Sequence, residues 1–141
     1  DFVAAGADVI SVQAENGPLV PPALEMIHQL NIAAGLVLGL DIPLETVQPW
    51  FKQVELVVLM GTPLGVKGVP PSEGIYARVG KMKGLLAEAG LDKQVKLFVD
   101  GGIREETVPR LRSAGADGVV AGSLVFKSPD INRTFEWLHT L

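Results

Sequence analysis

The sequence contains no cysteine, only two histidines among its 141 residues, and no long hydrophobic segment. Without cysteine there is no disulfide framework, no thiolate nucleophile and no cysteine-ligated zinc. The longest uninterrupted apolar stretch, residues 32–40, has nine residues, whereas roughly 18–20 are needed to span a bilayer. Basic residues are also in deficit, because 12 Lys and Arg against 16 Asp and Glu give a net charge of −4, which disfavours a nucleic-acid-binding surface. We therefore expect a cytoplasmic protein with neither a membrane nor a nucleic-acid partner.

The composition that remains is that of a globular domain. Apolar residues make up 48% of the chain and charged residues 20%, and no linker-like tract divides it. We therefore expect residues 1–141 to form a single domain. The first residue is Asp1, without an initiating methionine or a signal peptide, and the residues after it are typical of a helix end that runs into a strand. The sequence is thus expected to begin within a longer protein.

Short apolar runs alternate along the chain with segments of helical periodicity. The runs, which predict strands, occupy residues 9–12, 33–38, 56–60, 95–99 and 119–121. The third run is apolar throughout and is expected to be buried on both faces of a sheet. Each unit of run and helical segment takes about 28 residues, the ordinary length of a βαβ repeat. The pattern predicts a parallel sheet with helices between consecutive strands.

The helical segments are marked by apolar spacing and by the residues at their ends. Ser72 is a plausible N-cap, Gly90 and Gly115 are stop signals, and Ser128 before Pro129 indicates the start of the last helix. The positions expected to face the core are Leu24, Ile27 and Leu30; Leu44, Val47 and Trp50; Ile75, Val79, Met82 and Leu86; and Ile131, Phe135 and Leu138. The tetrapeptide Ala-Gly-Ala-Asp occurs at 5–8 and again at 114–117, and a shared helix-to-strand turn explains this repeat without any role in function.

Two architectures contain parallel strands that alternate with helices: an open doubly wound sheet and a section of an eight-stranded barrel. A complete barrel needs roughly 200–250 residues, so this chain would be about three units short of one. Composition and periodicity do not distinguish the two architectures. In both, ligands bind beyond the carboxyl ends of the strands.

Glycines follow the third, fourth and fifth runs. They are Gly65 and Gly68, Gly101 and Gly102, and Gly122. Because a glycine has no side chain, its backbone amide can approach an anion closely, and a following helix adds partial positive charge. Turns need glycine in any case, but three neighbouring loops together favour a phosphate site. Lys67 lies within the first loop and either pairs with phosphate or is solvated.

Asp100 ends the fourth run and is followed by two glycines. A carboxylate there points into the mouth of the site, where it could ligate a divalent cation or transfer a proton; the alternative is an aspartate that caps its own turn. Glu15, after Gln13, either hydrogen-bonds a site residue or lies on the surface. His28 and His139 do not follow strands and are expected on the surface. Asp100 alone would supply one metal ligand, which is too few for a site.

These segments resemble the ribulose-phosphate 3-epimerase family, whose fold is a (β/α)₈ TIM barrel. The matching pieces, in the family's order, are residues 5–8 with Gln13 to Glu15, Val57 to Met60 with the downstream glycines, Val99 to Ile103, residues 114–117, and Val120 to Ser123 with Phe126. The Asp-Gly-Gly-Ile motif alone is weak evidence for this family, because several phosphate-binding barrels carry it. The ordered set is specific to barrels that bind ribulose phosphate, and fairly specific to the epimerases.

The resemblance implies a partial barrel of about five βα units, corresponding to strands four to eight, within a homo-oligomeric isomerase. Such an enzyme inverts C3 of a ketopentose 5-phosphate with a divalent cation (Zn, Fe, Mn or Co) and two aspartates. Asp100 matches the proton donor and metal ligand, and Met60 matches a methionine packed against the reacting carbons. The residues that match phosphate and substrate loops are Gly65, Val66, Lys67, Gly68, Gly101, Gly102, Ile103, Gly122 and Ser123.

The sequence also departs from the family pattern. The partner aspartate and the histidine ligands of strands two and three are absent, a family histidine is Gln13, and the loop reads Gly-Val-Lys-Gly instead of Gly-Phe-Gly-Gly. We therefore expect no epimerisation by residues 1–141 alone, and self-association through unpaired strand edges. The alternatives are another sugar-phosphate enzyme on the same barrel, such as a hexulose-phosphate epimerase, a decarboxylase or a synthase, or a non-catalytic phosphate-binding domain.

Overall fold

The protein was analysed as a computed structural model, which describes residues 2–140. Its centre is a sheet of five parallel strands, each at one of the predicted apolar runs. The strands are β1 (Val9–Gln13), β2 (Ala33–Leu38), β3 (Leu56–Met60), β4 (Lys96–Asp100) and β5 (Gly118–Val120). Asp1, which the sequence places at a helix end, lies outside the described residues.

Helical segments connect consecutive strands. The α-helices are α1 (Val20–Gln29), α2 (Ile75–Glu88), α3 (Val108–Ala114), α4 (Gly122–Phe126) and α5 (Ile131–Thr140), and 3₁₀ segments occupy Ala14–Leu19 and Leu44–Gln53. The sequence did not predict α4, because its five residues are too few to show a helical period. Within residues 2–140, no helix combines the length and the hydrophobicity that crossing a bilayer requires.

The order of the strands in the sheet distinguishes the two architectures that the sequence left open. The strands lie side by side in chain order, β1-β2-β3-β4-β5. A doubly wound sheet reverses its strand order part-way across, whereas a barrel does not. The fold is therefore a section of a (β/α)₈ barrel. Among the described residues β1 and β5 are the edge strands, and self-association through them stays a prediction.

The helices cover one face of the sheet. The strand side chains on that face are buried; they are Ala34, Leu36, Leu38, Val57, Leu59, Leu97 and Val99. The predicted stripe of α2 packs against them and is fully buried at all four positions. The opposite face carries Val58, Met60, Phe98 and Asp100, because side chains alternate along a strand. The two faces thus separate a packed core from a surface on which a ligand can bind.

Five details of the helical segments correct the sequence prediction. Leu30, expected to face the core, lies just beyond the end of α1 and is 50% exposed. Phe51, which is 2% exposed, occupies the core position expected for Trp50, which is half-buried. The N-cap of α2 is Gly74, not Ser72, which lies two residues too early. Asp130 caps α5 instead of Ser128, since its carboxylate accepts a hydrogen bond of 3.0 Å from the Arg133 amide. No described side chain of α5 is buried, so its apolar stripe lies at the periphery.

The repeated tetrapeptide forms the same turn in both places. Gly6 and Gly115 have φ angles of +88° and +109°, a left-handed conformation that glycine adopts without strain. The Gly6 and Gly115 amides bond the carbonyl three residues back, at 2.9 and 3.0 Å. The next amide bonds the carbonyl five residues back, at 3.1 Å in both copies. Gly90 (+71°) and Asn31 (+56°) form turns of this type after α2 and α1. The copy at 114–117 is therefore a helix-to-strand turn, as predicted, and residues 2–7 form the same hydrogen-bonded turn before β1.

At the amino ends of the strands, acidic side chains bind the amide of the second residue of two strands. The Asp117 carboxylate accepts hydrogen bonds of 2.8 Å from the Leu97 amide and from Lys83 Nζ. The Glu55 carboxylate accepts a hydrogen bond of 2.8 Å from the Ala34 amide. These contacts satisfy backbone donors that would otherwise lack partners where the strands begin. The charged side chains at the amino ends of the strands thus stabilise the sheet.

We expect Gly115→Ala to lower the free energy of unfolding by about 1–2 kcal/mol, because an alanine at this φ angle is strained. The added Cβ would lie 3.4 Å from Lys83 Cγ, an ordinary contact, so the loss would be conformational. The control is Gly84→Ala within α2, where a Cβ meets no atom within 4 Å, and this change should stabilise by about 0.5–1 kcal/mol. Urea unfolding measures both. Equal effects of the two changes would contradict the assignment of the turn.

Candidate functional site

A cavity of about 680 Å³ lies beyond the carboxyl ends of β3, β4 and β5. Every site residue predicted from the sequence lines it, from Met60 and Asp100 to the glycine loops and Ser123. Its further lining residues are Thr62, Pro63, Val120 and Lys127. The fold thus gathers into one place residues that are up to 67 positions apart in the chain, from Met60 to Lys127.

The register of the strands aligns the central residues of this site. Met60 pairs with Asp100, and Asp100 pairs with Val120. Paired residues of neighbouring strands project from the same face of a sheet, here the face that the helices do not cover. The three side chains therefore form a row along the floor of the cavity, with the carboxylate in the middle.

The Asp100 carboxylate makes no hydrogen bond or ion pair with any other group of residues 2–140. The alternative in which it caps its own turn is therefore absent, since no downstream amide donates to it. Its backbone carbonyl, in contrast, accepts a hydrogen bond from the Gly61 amide. The backbone fixes the position of Asp100 while its side chain stays available to a ligand.

The loops that follow β3 and β4 pack backbone against backbone, and glycines make this packing feasible. A Cβ on Gly61 would overlap the carbonyl oxygen of Gly101. A Cβ on Gly102 would overlap the backbone of Pro71, and Gly102 also has a φ angle of +71°. Thr62, 4% exposed, is buried between the two loops. These two loops are thus held side by side at the rim of the cavity.

Arg104, in the loop after β4, adds a side-chain hydrogen bond to this contact, and Thr107 at the start of α3 holds the same loop internally. Thr107 Oγ1 accepts a hydrogen bond of 2.9 Å from the Arg104 amide and donates one of 3.2 Å to the Gly102 carbonyl. Arg104 Nη2 donates a hydrogen bond of 2.8 Å to the Gly68 carbonyl. The sequence analysis missed both residues. A threonine just before Val108 and Pro109 is a helix-start signal that could have indicated Thr107.

Gly65 and Gly68, unlike Gly61 and Gly102, are not required for close packing between the loops. Both have φ angles of +78°, and a Cβ on either would meet no atom within 4 Å. Their requirement is therefore conformational and not steric. Within residues 2–140, the amides of Gly68, Gly102 and Ile103 donate to no other group. These donors are thus available to an anion in the cavity.

Glu15 binds the backbone outside the cavity. Its carboxylate accepts a hydrogen bond of 2.8 Å from the Gly39 amide, just beyond β2. Arg78 Nη2 donates to the carbonyls of Gly39 and Ile42 at 3.0 and 3.1 Å. Burial lowers the pKa of Arg78, while the nearby carboxylates of Asp41 and Glu45 raise it. Glu15 therefore holds the loop after β2 in place.

Three further residues considered in the sequence lie outside the cavity. Gln13 ends β1 and is exposed. His28 is exposed beside Glu55, with 3.8 Å between Nε2 and Oε2. His139 is exposed near the end of α5. The prediction that both histidines lie on the surface is confirmed.

The described residues do not form a complete metal site. Residues 2–140 contain no group of three His, Cys, Asp or Glu side chains placed to hold one ion. Among the described lining residues, Asp100 is the only carboxylate. A divalent cation needs several protein or solvent ligands, so Asp100 would be one ligand within a larger set.

Comparison with known proteins tests the resemblance noted in the sequence. A family model described as the ribulose-phosphate 3 epimerase family matches residues 1–126. The chain belongs to this family. Curated relatives named ribulose-phosphate 3-epimerase are 33% identical over 129 residues in Bacillus subtilis and 29% identical over 136 residues in Escherichia coli K12. The matches cover 92% and 96% of this chain but only 59% and 60% of those relatives. This member of the ribulose-phosphate 3-epimerase family therefore spans about three fifths of their length.

A solved structure supports the fold assignment of this epimerase-family chain. The crystal structure of a 3-hexulose-6-phosphate synthase superimposes with a TM-score of 0.65 at 22% sequence identity. The superposition covers 98% of this chain and 63% of the synthase chain. At this identity the likeness concerns the fold alone. The predicted family and the predicted partial barrel are both confirmed.

We expect Gly102→Ala to lower the free energy of unfolding by roughly 2 kcal/mol or more, because it combines a strained φ angle with a backbone overlap. The matched change is Gly65→Ala, which has a similar φ angle and open space, and it should cost only about 1 kcal/mol. Urea unfolding of the two variants gives the comparison. If Gly65→Ala is as damaging as Gly102→Ala, the close contact between the loops is not what holds the site together.

Proposed function

We propose that this chain supplies the phosphate-binding loops and one acid–base group of an enzyme that epimerises ribulose 5-phosphate at C3. The observation that carries the proposal is the unpaired carboxylate of Asp100 in one cavity with three glycine loops, within the segment that matches the family. A site that only bound phosphate would not need a carboxylate beside it. Substrate binding and proton transfer together account for both features.

In this proposal the glycine loops bind the phosphate group of the ketose. Gly65 to Gly68, Gly101 to Ile103, and Gly122 with Ser123 surround the cavity from three neighbouring strand ends. The free amides of Gly68, Gly102 and Ile103 donate to the phosphate oxygens, and Lys67 adds a positive charge. Anchoring the phosphate at the rim fixes how far the carbon chain reaches along the floor of the cavity.

Asp100 transfers a proton at C3 on one face of the substrate. It lies in the middle of the row formed with Met60 and Val120, so the apolar neighbours exclude water from the reacting carbons. Inversion requires a proton-transferring group on each face of the carbon. The described lining residues contain a single carboxylate, and the second group therefore has to come from elsewhere in the enzyme.

A divalent cation (Zn, Fe, Mn or Co) is proposed for the enzyme by its family membership. Asp100 is the lining residue that would ligate it, and the other ligands would have to come from outside the described cavity. A cytoplasmic location and a homo-oligomeric assembly complete the proposal. They rest on the composition of the chain and on the family, respectively.

A second candidate is an epimerase for a hexulose phosphate, which differs from the first in the sugar. It is favoured by Lys67, which replaces a family glycine in the loop after β3 and lines the cavity, so that the pocket differs from the one in which ribulose 5-phosphate is bound. Assays with ribulose 5-phosphate and with a 3-hexulose 6-phosphate in parallel distinguish the two substrates. A chain that bound phosphate but acted on neither sugar would be a non-catalytic phosphate-binding domain.

We expect residues 1–141 alone to show no turnover of ribulose 5-phosphate, because inversion lacks its second proton-transferring group. Turnover should appear in a chimera that joins the unmatched part of the Bacillus subtilis relative to residues 1–141. In that chimera Asp100→Asn should lower kcat by a factor of about 10² to 10⁴, the usual contribution of a general acid or base. A coupled assay for xylulose 5-phosphate measures all three proteins.

The control for the chimera is Asp41→Asn, which removes an exposed carboxylate outside the cavity and should leave kcat unchanged. Measurable turnover by residues 1–141 alone would contradict the need for a second group. An active Asp100→Asn chimera would remove Asp100 from the mechanism.

A further inference from the structure

Two lysines line the cavity without a partner of opposite charge. Elsewhere in the chain Lys83 is paired with Asp117 at 2.8 Å, and Lys81 is paired with Glu45. Lys67 and Lys127, in contrast, form no ion pair or side-chain hydrogen bond with any group of residues 2–140. Lysines usually find a carboxylate or project into open solvent. Lys67 and Lys127 are both exposed, and both border the same cavity, which makes them candidates for contact with a ligand.

The two lysines reach the cavity from opposite sides. Lys67 belongs to the loop after β3, and Lys127 directly follows α4, beyond β5. Since β4 lies between β3 and β5 in the sheet, the loop of Gly101 and Gly102 lies between the two cations. An anion bound at those glycine amides would thus have one ammonium group on either side.

The local charge of the cavity is opposite to the charge of the chain. The chain carries a net charge of −4, yet its described lining residues include two lysines and one carboxylate. Glu105 and Glu106 border an adjacent groove together with Lys127, but no ion pair joins them among the described residues. Unpaired cations around a concave surface attract anions and raise their local concentration.

We propose that Lys127 is a substrate-binding residue. It binds the phosphate dianion of the sugar together with Lys67, and the two ammonium groups contact the dianion from opposite sides. This inference rests on the proposed function and adds to it a residue from the βα unit after β5. It makes phosphate binding in this chain depend on two ammonium groups as well as on backbone amides. Binding should therefore weaken with added salt more steeply than binding by amides alone.

Titration calorimetry of residues 1–141 with inorganic phosphate, ribulose 5-phosphate and ribulose tests the proposal. We expect Lys127→Gln to weaken binding of both phosphate compounds by about fivefold, which corresponds to about 1 kcal/mol. Lys127→Arg keeps the charge and should retain most of the affinity. The matched control is Lys93→Gln. It removes an exposed lysine just before β4, at the amino ends of the strands and away from the cavity, and should leave affinity unchanged.

The outcomes separate this inference from the proposed function. If the unaltered chain binds the phosphate compounds and Lys127→Gln behaves like Lys93→Gln, the inference is wrong and the proposed function stands. If Lys127→Arg loses as much affinity as Lys127→Gln, the charge is not the cause and the inference is again wrong. If the unaltered chain binds ribulose 5-phosphate no better than ribulose, both the inference and the phosphate-binding role fail. Circular dichroism of each variant checks that it is folded.

Discussion

The site depends on the close contact between the loops that follow β3 and β4. Gly61, Gly101 and Gly102 let two backbones approach to a distance that no side chain would permit. Because both loops start from strands in fixed register, this contact sets the position of Asp100 relative to the free amides of the two loops. The cavity is therefore a property of neighbouring units acting together. No single βα unit of this chain contains it.

Charged side chains at the two ends of the sheet differ in whether they have partners within the protein. At the amino ends of the strands, carboxylates such as Asp117 and Glu55 are bound to backbone amides and basic groups. At the carboxyl ends, the Asp100 carboxylate and the ammonium groups of Lys67 and Lys127 have no partner among the described residues. Charges satisfied within the protein stabilise the fold, whereas unsatisfied charges in a cavity are free to act on a ligand. The carboxylates of Asp117 and Glu55 thus stabilise the fold, whereas that of Asp100 has no structural partner among the described residues.

Much of the fold could be predicted from the sequence because its signals are local. The apolar runs predicted all five strands, and the glycine stop signals predicted the turns after α2 and α3. Strand order could not be predicted, since periodicity is the same in a barrel and in a doubly wound sheet. Most of the cavity residues that follow strand ends were also predicted, but Thr62 and Pro63 after β3 were not. Lys127 and Thr107 were missed because neither follows a strand end directly: α4 separates Lys127 from β5, and a loop of six residues separates Thr107 from β4.

The helix-to-strand turns have a consequence for how such a chain can evolve. Each is closed by hydrogen bonds that span at most six residues, around Gly6, Asn31, Gly90 or Gly115. A unit that ends in such a turn brings its own termination signal and needs no distant residue to complete it. Recombination at these points would therefore exchange whole βα units between related barrels with little loss of local structure, and substrate preference could change one strand end at a time.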